Sequence, residues 1–287
     1  ADGVPKYLTF ENLEIKSGRP PYQYTCDEGT TKSYPNSATA IWVVCGENIT
    51  VRNCILHDNG NGFFSYSDDT VQSKNLLVEG CYLYDNGNDG SIYEHNSYCE
   101  SLGITYQYNH YGPLRTNCPG NNLKDRSAGM VIRYNWIENG NRQCDLVDAE
   151  DSGVLGNDAS YAKAFIYGNY LLEAMSGNRQ VIHFGGDMGG VYRKNGYFYN
   201  NTLVSTRTDA TTLVRESGGA SSVFDVRNNI IYTTAAGSTM EISNDSDGIV
   251  NMTHNWLKPG YLLAGGSGGT VNDDGTSVTG TSPGFTN

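Results

Sequence analysis

VIRYNWIE (131–138), FIYGNYLL (165–172), YFYNNTLV (197–204) and DVRNNIIY (225–232) each carry an asparagine as the fifth of eight residues, with apolar residues on both sides. Working outward, ITVRNCIL (49–56), LLVEGCYL (76–83), GITYQYNH (103–110) and NMTHNWLK (251–258) extend the series. One column through them reads Cys54, Cys81, Gln107, Asn135, Asn169, Asn201, Asn229 and Asn255, at spacings of 27, 26, 28, 34, 32, 28 and 26 residues. YLTFENLEIKSG (7–18) reads as an earlier rung with Leu13 near that column. A repeat of this length marks a solenoid of stacked units. A bent strand explains each unit: Val51 and Leu56 point inward and the polar step turns between them. Stacked amides about 4.8 Å apart then hydrogen-bond to one another along the axis. No apolar stripe at the 3.6-residue helical period appears. His57-Asp58-Asn59-Gly60, Tyr84-Asp85-Asn86-Gly87 and Ile137-Glu138-Asn139-Gly140 recur after the strands, as Asn-Gly corners that admit positive φ. Hairpins of a β-sandwich would use the same pairs, but would not preserve the spacing.

The expected fold is all-β, a right-handed parallel β-helix of about nine coils with an asparagine ladder. It spans 1–287 as a single domain: an N-terminal coil and excursion over 1–46, regular coils over 47–258, and a closing Gly/Ser/Thr-rich segment over 259–287. Composition agrees: 35 glycines and 21 tyrosines among 287 residues, with only 17% charged. The net charge of −12 disfavours nucleic acid as a partner. No apolar run approaches the roughly 18 residues of a membrane span. A start at Ala1 without Met, with seven cysteines lacking zinc-type spacing, suggests a secreted chain whose signal peptide has been removed. Adjacent rungs bring Cys54 and Cys81 within disulfide range, so a bridge is expected there. Cys26 and Cys45 flank the excursion and are placed to staple it. Cys99, Cys118 and Cys144 are left without an assigned pairing.

On these residues the chain resembles the pectin-lyase-like right-handed parallel β-helix superfamily over essentially its full length. The asparagine column resembles that fold's ladder. The resemblance implies an outer groove along one face. The segment 94–151 is the least repeat-like and holds EHNSYCES, NNLKDRSAG and CDLVDAEDSG. Counting from corners and column stacks Asp68, His95 or Asn96, Lys124 and Asp148 over four rungs. Lys124 and Arg126 alternate with Leu123 and so face outward.

Such a patch suits β-elimination on a uronate polysaccharide: a base takes the C5 proton, a cation neutralises the carboxylate, and the leaving oxygen gains a proton. Lys124, Arg126 and Arg133 supply cations, and His95 or Tyr98 moves a proton. Asn96, Asp68 and His110 join Arg133 as substrate contacts. Asp145, Asp148, Glu150 and Asp151 form an acidic run suited to Ca²⁺. NNLKDRSAGMVIRYNWIENG is similar in style to the lysine-bearing coil of chondroitinase-B-like and alginate-lyase-like enzymes, which implies Lys124 as base and Arg126 or a neighbouring Arg as acid. His95-Asn96-x-Tyr98, His110, Asn122-Leu123-Lys124-x-Arg126 and Asp145-Leu146 resemble more closely a widespread group of secreted bacterial β-helix proteins with no firm activity. The Gly-His-Gly of polygalacturonase-like hydrolases, the Trp-x-Asp-His of pectate lyases and the calcium-binding nonapeptide repeats are absent. The expected function is therefore a lyase on an acidic glycan. The alternative is a non-catalytic structural, filament-forming or adhesive protein, self-associating end to end through open solenoid edges.

Overall fold

The computed structural model describes residues 3–266 and 268–286. Each coil runs through three short strands, as in Thr50–Arg52, Ile55–His57 and Asn61–Tyr66, before Lys74–Glu79 opens the next coil. Equivalent strands stack in parallel into two ten-stranded sheets and one of nine, a right-handed parallel β-helix. The first sheet runs from Thr9–Glu11 to Thr270–Asp273, the second from Glu14–Lys16 to Val278–Thr279, and the third from Thr39–Val44 to Leu262–Ala264. An antiparallel hairpin of Gln23–Thr25 and Thr31–Ser33 interrupts the first coil.

Parallel stacking in register puts like residues over like, which explains the core. Val51, Val78, Tyr106, Ile132, Ile166, Phe198, Val226 and Met252 form one file in the first sheet. Leu56, Leu83, Tyr111, Ile137, Leu171, Leu203, Ile231 and Leu257 form another in the second. All are buried in one continuous core. Both files come from the two apolar sides of the repeat, so Val51 and Leu56 do point inward around a bend. At the bend the backbone is left-handed: Asn53, Gly80, Tyr108, Tyr134, Gly168, Asn200, Asn228 and His254 have φ between +50° and +67°. Gly and Asn accept this conformation most readily.

The residue after each bend turns its side chain inward, and here one expectation is corrected. The ladder position of the fourth coil belongs to Asn109, not Gln107. Asn109 accepts from the Cys81 N–H at 2.9 Å and donates to Asn135 at 3.0 Å. Gln107 lies outside, donating to Glu79 and accepting from Arg133. The ladder then runs Asn109, Asn135, Asn169, Asn201, Asn229 and Asn255, each amide nitrogen also reaching a carbonyl of the preceding coil. A second buried chain of amides, Asn59, Asn86, Asn96 and Asn122, lines the corner into the third sheet. There Gly60 is required by close approach: a Cβ would lie 2.0 Å from the Asn36 carbonyl oxygen.

The expected disulfides are also corrected, since all seven cysteines are free thiols. Cys54 and Cys81 are stacked as expected, but they fill ladder positions and face along the axis. The Cys54 N–H donates to Cys81 Sγ at 3.4 Å. Each thiol then donates to backbone carbonyls, Cys54 to Arg52 and Cys81 to Glu79. Cys26 meets Thr30 in the hairpin rather than Cys45. Denatured without reductant, the chain should therefore titrate as seven thiols with a colorimetric disulfide reagent. Five or fewer would show that a bridge forms.

Candidate functional site on the third sheet

The two-residue period of the third sheet sends alternate side chains to opposite faces. Phe63, Leu123 and Cys144 enter the core. Between them, one outer residue per strand stacks into a column: Trp42, Phe64, Tyr98, Lys124, Asp145, His183 and Arg215. The column has two halves. Trp42, Phe64 and Tyr98 pack edge to face, with centroids 5.6 and 4.9 Å apart, and Trp42 is 60% exposed. Beyond Tyr98 the column becomes charged.

Lys124 Nζ sits 3.2 Å from Asp145 and 3.3 Å from Asp187, and 5.8 Å from the Tyr98 ring centroid. Arg126 donates to the Tyr98 hydroxyl at 3.0 Å and pairs with Asp187 at 3.2 Å and Glu150 at 3.3 Å. Burial pushes the Tyr98 phenol well above its ordinary range despite Arg126, so it stays protonated. Asp187 lies in the loop after Gln180–Phe184. Buried Asp148 shapes that loop by accepting from the N–H groups of Asp187, Met188 and Gly190. Burial opposes ionisation of Asp148, but these donors outweigh it and hold its carboxyl below the usual value. Asp145 behaves similarly. Burial opposes its charge, while a 2.8 Å hydrogen bond from His183 and the charges of Lys124 and Arg142 hold it far below the carboxylate range.

Thus Tyr98, Lys124 and Arg126 do share one site, with Asp145 and Glu150. Arg126 is almost fully enclosed and bonds the Asp148 carbonyl as well, so it positions Tyr98 and faces outward only through its partners Asp187 and Glu150. His95 is also enclosed. Burial lowers it to about 3, and its Nδ1 accepts from the Asn121 N–H, which leaves it neutral and structural. Asn96 belongs to the corner chain of amides. Asp68 accepts from the Thr70 and Val71 N–H groups and closes a turn. His110 and Arg133 stand on the other two sheets. His110 bonds Glu138 between the rings of Tyr82 and Trp136, and Arg133 bonds Gln107 and Tyr167.

The four acids expected to hold Ca²⁺ do not converge. Asp145 is committed to His183, Asn121 and Lys124, Asp148 to backbone, and Glu150 to Arg126 and Tyr98. Among the described residues no three His, Cys, Asp or Glu side chains surround a point where an ion would sit. The residues present do not fit that ion.

Asp187, His183, Trp42 and Phe64 were not anticipated. Spacings of 34 and 32 residues mark two enlarged coils, and the Asp187 loop is part of the second enlargement. That excess length was the available signal. Nothing in the local sequence of His183 distinguishes it.

Beneath the cluster, Glu100 is buried and its Oε1 lacks a hydrogen-bond partner among the described residues. Burial, then repulsion from Asp151, raises it to about 8 from 4.5. Its contribution to stability is fully present below pH 4.5 and is lost as pH rises through about 8. Glu100→Gln should therefore flatten the fall in Tm between pH 4.5 and about pH 8. An unchanged slope would show that Glu100 is solvated.

No family model, curated protein or solved structure matches the chain.

Proposed function

We propose that the protein is a secreted, pectin-lyase-like enzyme that binds an acidic polysaccharide along the outer face of the third sheet and cleaves it by β-elimination. The observation that carries this reading is the continuity of the column: an exposed aromatic platform runs directly into a cluster of proton donors and cations. Aromatic faces stack on sugar rings through apolar contact. The platform of Trp42 and Phe64 would hold a glycan across the strands, with a neighbouring residue of the chain at Tyr98 and Lys124.

In this scheme Lys124 takes the C5 proton. The substrate carboxylate replaces Asp187 on the Arg126 guanidinium, and protonated Tyr98 gives its proton to the leaving oxygen. A lysine base works only after shedding its own proton, so turnover should rise with pH on the alkaline side. The test is incubation with alginate, pectate and glycosaminoglycans, following absorbance of the unsaturated product. Turnover on one of them, reduced at least about 100-fold in Lys124→Ala, is the expected result. No product on any polymer overturns the reading.

A second reading rests on the solenoid ends. Leu8, Phe10 and Leu13 are exposed on the first rung, and Leu262, Leu263 and Val278 on the last. End-to-end association would cover both and pair the open strand edges. Negative-stain images at high concentration should then show rods several molecules long; dispersed monomers exclude this assembly.

A further inference from the structure

The lower end of the column holds a group that elimination does not use. Asp145 Oδ1 lies 2.8 Å from His183 Nδ1, and His183 Nε2 lies 2.7 Å from Ser217 Oγ. The three residues come from consecutive coils, 38 and 34 positions apart, so only stacking of the third sheet brings them together. The carboxylate fixes the imidazole with its proton on Nδ1, which directs the Nε2 lone pair at the serine hydroxyl. Asp145 is itself oriented by Asn121 at 2.7 Å and Lys124 at 3.2 Å. His183 is 3% exposed, whereas Ser217 stands just past the strand Ala210–Glu216 and is half-buried. Two guanidiniums flank the group. Arg142 lies 3.8 Å from Asp145, and Arg215 is paired in register with His183.

We propose that Ser217, His183 and Asp145 form a nucleophilic relay that hydrolyses a carboxylic ester carried by an anionic molecule, an O-acylated acidic glycan being the class that fits this face. Ser217 Oγ attacks the ester carbonyl carbon as its proton passes to His183 Nε2. The intermediate collapses with cleavage of the bond to the alcohol oxygen, which receives that proton and leaves. Water then attacks the acyl-serine, again losing a proton to His183, and the acid departs as Ser217 regains its hydrogen. Arg215, in register with His183 and paired with Asp245 at 3.2 Å, supplies positive charge beside His183 where the oxyanion forms. Asp145 is a positioning residue. The inference does not depend on elimination: one reaction leaves an unsaturated sugar, the other a free acid and an intact polymer.

The same Ser217 hydroxyl also lies 3.0 Å from the Gly186 carbonyl and 3.3 Å from that of Phe184. Ser217 could thus serve only to staple the loop, and the experiment separates the two roles. The full chain is treated with a fluorophosphonate probe and mapped by peptide mass spectrometry, and is assayed on p-nitrophenyl acetate and O-acetylated polyuronate for acetate release. The expected result is a single adduct on Ser217, with acetate release reduced at least about 1,000-fold in Ser217→Ala and His183→Asn. Asp145→Asn should lower kcat while KM is retained, which a staple would not do. Failure of the probe to label wild-type Ser217, or turnover surviving in folded Ser217→Ala, overturns the proposal. Labelling of the wild-type chain settles the matter even where a variant does not fold.

Discussion

Asn169→Leu should destabilise the solenoid by about 4 kcal/mol. Asn169 accepts from the Asn135 N–H at 2.9 Å and from its side-chain amide at 3.0 Å. It donates to Asn201 at 2.9 Å and to the Ile132 carbonyl at 3.1 Å. Leucine matches the volume but takes the acceptor from the Asn135 N–H and the side-chain donor from the Ile132 carbonyl, and it leaves the Asn135 amide only Tyr106 and the Asn201 oxygen only the Asn169 N–H. Each buried polar group left short of a partner costs about 1–3 kcal/mol, partly relieved by relaxation. Urea unfolding of the pure variant checks this, because the loss should appear as a lower midpoint. A change below 1 kcal/mol would mean that water enters the ladder.

Arg193→Met should cost a similar amount, about 3–5 kcal/mol, by a different route. Arg193 is wholly buried, with its guanidinium 3.4 Å from Asp125 Oδ1 and bonded to the carbonyls of Ser127, Val147 and Asp125. It also lies 4.7 Å over the Tyr161 ring. Burial already raises the Asp125 carboxyl, against the pull of Arg193 and a hydrogen bond from Tyr106. Removing the cation strands that carboxylate in the core, so Asp125→Asn added to Arg193→Met should recover part of the loss. Additive losses in a double-mutant cycle would show that the two groups do not interact.

The repeat was legible because stacking in register forces chemically similar residues into the same column. The slip from Asn109 to Gln107 shows the limit. Tyr106-Gln107-Tyr108-Asn109 offers two polar residues two places apart, and the bend falls on Tyr108, which does not advertise a left-handed backbone as Gly80 or Asn200 does. Lys124, Arg126 and Tyr98 were found because they sit in one outward-facing strand register. The stack itself was misjudged by two or three residues, where His95 or Asn96 and Asp148 were expected beside Lys124 and Tyr98 and Asp145 stand instead. Corner lengths differ between coils, so counting from Asn-Gly pairs drifts. Asp187 was out of reach because it arrives from a coil whose added loop length hides the register, and Ser217 because the two enlarged coils lie between it and the Lys124 rung. The cysteines misled because proximity on adjacent rungs does not decide whether two thiols face each other or a backbone group.

The molecule carries two aromatic surfaces. The second sheet carries its own stack, in which His57, Tyr84, Tyr82, His110 and Trp136 lie 4.2 to 4.8 Å apart. The most direct measurement is a crystal structure of the chain soaked with a defined oligouronate. The account predicts sugar density across Trp42, Phe64 and Tyr98, with a carboxylate at Lys124 and Arg126. Density on the stack of the second sheet, with the third sheet bare, would contradict it.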